Sequence, residues 1–154
     1  MKIERNKEKL KVVSKEVDLG DKEKLIRLTS LLMNCYEKHF HKNVQGLSAI
    51  QLGYNESCIL VQYDKTKQTP PLVCFNPKIL FSIGFRQSNE GCVSVGEDRY
   101  VLFRPMLCKV SYYTEDSVKH VEWLPFKKAR IFCHETDHTK GILISDKGVK
   151  ICQK

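Results

Sequence analysis

The pentapeptide His134-Glu135-Thr136-Asp137-His138 places two imidazoles and a carboxylate within five positions. On a helix, residues four apart lie roughly 40° from one another around the axis and one turn along it, so both rings can grip a single ion. Glu135 then sits beside that ion, free to act as a base, which is the layout of a hydrolytic metal centre. The competing reading is an amphipathic helix that happens to carry two histidines. A tetrahedral catalytic site needs three protein ligands and one open position for water. In the extended zinc-protease signature the third histidine would fall at position 144, which is Ile144, and no glutamate follows Glu135 to serve instead. Asp146 is a downstream carboxylate, and the seven cysteines are the soft alternatives. Cys92 stands out among them because Gly91 precedes it after the polar run 86–89, letting the backbone turn tightly and other groups approach the sulfur. Cys58, Cys74 and Cys108 lie in apolar, strand-like runs and read as core. Cys133 points about 100° away from His134 on a helix and also reads as core. Cys35 falls on the apolar stripe of an earlier helix, and Cys152 is in the tail.

Three segments together resemble the peptide deformylase family. Glu90-Gly91-Cys92-Val93-Ser94 is similar to its E-G-C-L-S motif, and residues 134–141 to its H-E-x-D-H-x-x-G helix. Val44-Gln45-Gly46-Leu47-Ser48-Ala49-Ile50-Gln51 is similar to its G-x-G-x-A-A-x-Q loop, with Gly46, Ala49 and Gln51 in register. The order and spacing match over residues 5 to 146. Val44, Ser48 and Gly96 depart from the pattern, standing where the family has glycine, alanine and commonly proline. With about a dozen residues following Gly141, the C-terminal helix of many relatives is expected to be largely missing from this sequence.

The resemblance implies a reaction and roles for single residues. Cys92 as thiolate, with His134 and His138, would bind one divalent ion, Fe2+ by implication, with Zn2+, Ni2+ or Co2+ as substitutes. Glu135 would move the proton, and the Gln51 amide and the Val93 backbone N–H would donate to the developing oxyanion. Gly46 would admit substrate backbone, with Gln45 and Ile131 near the side-chain pocket. Arg130 and Gln45 fall where many relatives carry aliphatic residues. Asp137 would support the site from behind, paired with Arg104, while Glu90 would pair with Arg99. The implied substrate is an N-formylmethionyl nascent peptide, cleaved to formate and a free amino terminus. Gly46 and the residues after Phe85 could bind that peptide as an added strand. The alternative is a non-catalytic metal-binding relative that captures formyl peptides or docks on the ribosome.

The elements that must position these groups can be read from periodicity. Leu25, Leu28, Leu32, Cys35 and Tyr36 are spaced for a helix over Asp21 to Phe40 with one face inward. A loop is expected from His41 to Tyr54. Strands are expected at 57–63, 72–80, 100–103, 107–113 and 120–124, interrupted at Pro70-Pro71, Gly84 and 114–116. Pro125 can open the motif-bearing helix, with Phe126, Ala129, Phe132 and Cys133 available to pack it on the sheet. The expected fold class is α+β, with short antiparallel β-sheets wrapped around a central helix and an N-terminal helix before them.

Composition bounds the rest. At 154 residues and 42% hydrophobic content the chain is expected to be a single domain, residues 1–154, with a real core. No apolar stretch suggests a membrane span or a signal peptide, so cytoplasmic residence and reduced thiols are expected. The net charge of +8 is dispersed, with acidic residues mixed in, which argues against specific nucleic-acid recognition. It fits weak electrostatic attraction to the ribosome.

Overall fold

A computed structural model describes residues 3–39, 44–64 and 68–151. Four helices and six strands follow one another as α1 (Lys7–Leu10), α2 (Lys22–His39), β1 (Gly46–Ser48), β2 (Cys58–Val61), β3 (Leu72–Gly91), β4 (Arg99–Tyr113), β5 (Lys119–Pro125), α3 (Phe126–Thr139), α4 (Ile144–Lys147) and β6 (Val149–Lys150). The strands form one antiparallel sheet in the order β1-β2-β3-β4-β5, with β6 paired to β4. Asp21 caps α2, its Oδ1 accepting from the Lys24 N–H at 3.0 Å. The inward face of α2 is the expected one: Leu25, Leu28, Leu32, Cys35 and Tyr36 are all buried. Phe40, His41 and Cys152 lie outside the described residues.

Strand β2 shows how the sheet separates two cores. Side chains of a strand alternate between faces, and Cys58 and Leu60 pack with α2 while Ile59 and Val61 pack with α3. The expected core cysteines Cys58, Cys74, Cys108 and Cys133 are all buried. Against α3 lie Cys74, Cys108, Val110 and Leu124, meeting Ala129, Ile131, Phe132 and Cys133. No helix is long and apolar enough to cross a membrane among the described residues.

Several expected boundaries move. The loop from His41 to Tyr54 contains β1 and a 3-10 turn at Ala49–Leu52, because Gly46–Ser48 pairs with Ile59–Val61. Gly84 does not end a strand: it lies inside β3 with φ 61°, kinking a ribbon that runs on to Gly91 because β4 supplies partners throughout. The expected strands 100–103 and 107–113 are one strand, since Pro105 sits where β4 has β3 on one side but neither β5 nor β6 on the other. Two shifts of register between Phe75 and Phe81 bend β3, so the sheet curls. Pro125 stands just outside α3 as its N-cap, and Phe126, with φ 46°, turns outward and is 64% exposed instead of packing on the sheet.

Candidate functional site

Helix α3 carries His134 and His138 one turn apart, with ring centroids 5.2 Å from each other. The turn linking β3 to β4 brings Cys92 to them. Its Sγ lies 3.3 Å from His138 Nε2, and the ligand atoms of Cys92, His134 and His138 all fall within 4.8 Å of one another. Burial opposes ionisation of the Cys92 thiol, yet His138 and His134 hold it well below the usual thiol range. A thiolate and two imidazole nitrogens converging on one point form a donor set suited to a divalent transition metal. The residues present therefore fit such an ion.

Second contacts orient the ligands. His134 Nδ1 lies 2.8 Å from Glu90 Oε2. Glu90 resists ionisation through burial, but His134 and Arg104 hold its carboxyl well below the ordinary carboxylate range. An anionic acceptor there puts the proton on Nδ1 and leaves Nε2 for a ligand. Arg104 clamps Glu90 through Nε at 2.9 Å and Nη2 at 3.0 Å, and its Nη1 donates to Asp137. Lys147 of α4 completes the row, donating to both Asp137 oxygens at 2.8 and 2.9 Å. Arg104 thus meets Asp137 as expected. Arg99 does not meet Glu90. It donates to the Asn89 side chain at 2.7 Å and to the Asn89 carbonyl at 3.1 Å. Arg104 lies across from Arg86 in the ladder, and this register carries its guanidinium inside while Arg99 stays at the exposed end of the ribbon.

Glu135 is 4% exposed, and its Oε2 is buried with no hydrogen-bond partner among the described residues. Burial pushes its carboxyl up to about 7. Across from it lies Gly46 in β1: a Cβ there would meet Glu135 Oε1 at 2.5 Å and Cγ at 2.6 Å. The glycine thus makes room for the carboxyl itself, a demand that the sequence motif did not disclose.

Gln51 closes another side. Its Oε1 accepts from the Ser48 N–H at 2.8 Å, which orients the amide so that Nε2 donates to Ser94 Oγ at 3.1 Å and approaches Cys92 Sγ at 3.5 Å. The Ser48 contact uses a backbone N–H, so the side chain at that position does not affect it. Gly96 adopts φ 88° in the turn beyond Cys92, a conformation in which glycine is at ease. A cavity of about 950 Å³ opens over these groups, and Gln45, Gly46, Gln51, Cys92, Val93 and Ile131 all line it. Lys147 is the contributor that the motifs missed, because it lies outside all three and reaches Asp137 from α4. Ser48 and Ser94 lie inside the motifs, but the part each plays in holding the Gln51 amide was not read from them.

Residues 3–154 match the family described as polypeptide deformylase. Peptide deformylase 1 of Clostridium acetobutylicum is 31% identical over 140 residues, covering 91% of this chain and 88% of the relative. The solved peptide deformylase of Plasmodium falciparum is similar with a TM-score of 0.85 at 27% identity, over 97% of this chain and 86% of that one. A peptide deformylase from Acinetobacter baumannii with Met-Ala-Ser bound gives a TM-score of 0.82 at 26% identity, over 96% of both chains. A probable peptide deformylase from the synechococcus phage S-SSM7 gives 0.85 at 29%, over 96% of this chain and 99% of that one.

Proposed function

The chain belongs to the polypeptide deformylase family, and from there we propose that it removes the formyl group from the N-terminal formylmethionine of newly synthesised peptides, releasing formate. The carrying observation is the convergence of Cys92, His134 and His138 beside a buried Glu135 whose Oε2 has no hydrogen-bond partner among the described residues. Residues 1–154 act as one catalytic domain.

Cys92, His134 and His138 would hold one divalent ion, which the resemblance implies to be ferrous iron, with zinc, nickel or cobalt able to substitute. When bound, such an ion supplies Lewis acidity, making water acidic enough to attack near neutral pH. Glu135 takes the proton of the attacking water and returns it to the departing amine, a role suited to a carboxyl raised to about 7 by burial. As negative charge gathers on the formyl oxygen, the Gln51 amide and the Val93 N–H donate to it, with Ser48 keeping the amide turned the right way. Glu90 orients His134, and Arg104 and Asp137 brace Glu90 and the helix. The extended peptide lies along the edge of β1 at Gly46 and the stretch of β3 after Phe85. Neither edge pairs with another strand among the described residues. Ile131 and Gln45 adjoin the first side chain. The enzyme works in the cytosol, where its charge of +8 draws it weakly towards ribosomes delivering nascent chains.

The test is formate release from formyl-Met-Ala-Ser by anaerobically purified, metal-analysed protein. Glu135→Gln should keep its metal and lose turnover by about 10²- to 10⁴-fold. No formate from metal-loaded wild type, or an unimpaired Glu135→Gln enzyme, would refute the reading.

A further inference from the structure

Three arginines line the cavity that holds the candidate metal-ligand cluster: Arg5, Arg99 and Arg130. Among the described residues none of them has a carboxylate at ion-pair distance. Arg99 spends its donors on Asn89, and Arg130 donates through Nη2 to Gln45 Oε1 at 3.1 Å. The acids lining the same space offer little compensation. Glu90 is taken by Arg104 and His134, Glu135 is the buried base, and Glu97 alone remains.

Arg130 lies closest to the chemistry along the helix. It precedes His134 by four residues on α3, which puts both side chains on one face a single turn apart. Gln45 adjoins Gly46, the residue that faces Glu135. Gln45 Oε1 accepts from Arg130 and so fixes the guanidinium beside it. Gln45 Nε2 is left buried with no hydrogen-bond partner among the described residues. Arg130 therefore brings its remaining N–H groups to this corner of the cavity, with Gln45 holding the guanidinium from the side. A methionine thioether is a weak acceptor and gains little from such donors. A carboxylate matches the flat guanidinium fork and brings the opposite charge.

We propose that Arg130 and Gln45 form a specificity corner that favours an acidic side chain within the first two residues of the formylated peptide. This inference rests on the deformylase reading of the same site. Arg5 and Arg99 extend the positive field around it and add attraction without fixing geometry.

The experiment compares kcat/KM of metal-loaded enzyme on two matched pairs, formyl-Met-Glu-Ser against formyl-Met-Gln-Ser and formyl-Glu-Ala-Ser against formyl-Gln-Ala-Ser, with formyl-Met-Ala-Ser as reference. In at least one pair the acidic peptide should win by about tenfold or more, and the margin should shrink as salt is raised. Arg130→Met should bring that ratio close to one, Arg130→Lys should retain part of it, and Arg130→Glu should favour formyl-Met-Lys-Ser over formyl-Met-Glu-Ser. Both pairs within about twofold in the wild type, or a preference that survives Arg130→Met, would overturn the inference. Inactivity on formyl-Met-Ala-Ser would count against the deformylase reading instead. Calorimetric binding of the same peptides to Glu135→Gln protein then decides the acid preference without turnover, by the same ratios.

Discussion

Gly46 stays glycine because of the carboxyl opposite it. A methyl group added there would come within 2.5 to 2.7 Å of three Glu135 atoms, far inside van der Waals contact, and the carboxyl is the part that can move. Gly46→Ala should therefore displace the proposed base while leaving β1 paired to β2. Moving a catalytic group by about 1 Å costs on the order of 100-fold in rate, so kcat/KM should fall by about that factor. The thermal midpoint should shift by only a few degrees, since one β1 contact changes and the two cores do not. A variant with near-normal kcat/KM would mean that Glu135 in its present position does not do the work. The residue also shows how a motif can be right for an incomplete reason. The sequence suggested room for substrate backbone, and the structure adds room for Glu135. Both demands fall on one missing side chain.

At the scale of elements, Gly141 ends the metal helix in a way no other residue could. It has φ 69°, and a Cβ would meet the Lys11 carbonyl oxygen at 2.5 Å and its carbon at 2.7 Å. The segment after α1 is bound close by, through the Ser14 N–H to the Thr139 carbonyl at 2.8 Å. Gly141→Ala should thus lose about 2 kcal/mol or more of stability, from left-handed strain and the backbone clash together. Denaturant unfolding monitored by circular dichroism would measure it, and a loss below about 0.5 kcal/mol would refute the argument. Both long helices were legible in the sequence: α2 buries all five residues that the 3.6-residue spacing selected, and α3, found through its motif, buries Ala129, Phe132 and Cys133 but not Phe126. The candidate metal ligands were legible because two of them share a helix and the third carries a motif. The ribbon was not. Gly84 and Pro105 read locally as breakers, whereas β3 tolerates a kink and β4 has an open side at its proline. Nor could sequence separation show that Arg104, and not Arg99, reaches Glu90. That choice depends on which face of β4 turns inward, and the register settles it.

For the whole molecule the question is whether the proposed ion would hold the fold or only use it. The two main cores lie on opposite faces of the sheet, one under α2 and one under α3, and neither includes a candidate metal ligand. Cys92 belongs instead to a small third cluster with Tyr100, Leu102 and Ile144 at the end of the ribbon. Removing the ion should leave both large cores packed while loosening that end. An ion present at about 1,000 times its dissociation constant adds about 4 kcal/mol, which for a domain of this size corresponds to a fall in Tm of about 10 °C on chelation. Far-UV circular dichroism at 25 °C should stay native, amide exchange should quicken chiefly around residues 92–98, and ferrous iron added anaerobically should restore formate release. Unfolding at 25 °C on chelation would identify the ion as a structural staple, because the sheet would then depend on a cross-link between the β3–β4 turn and α3 that its own packing cannot replace.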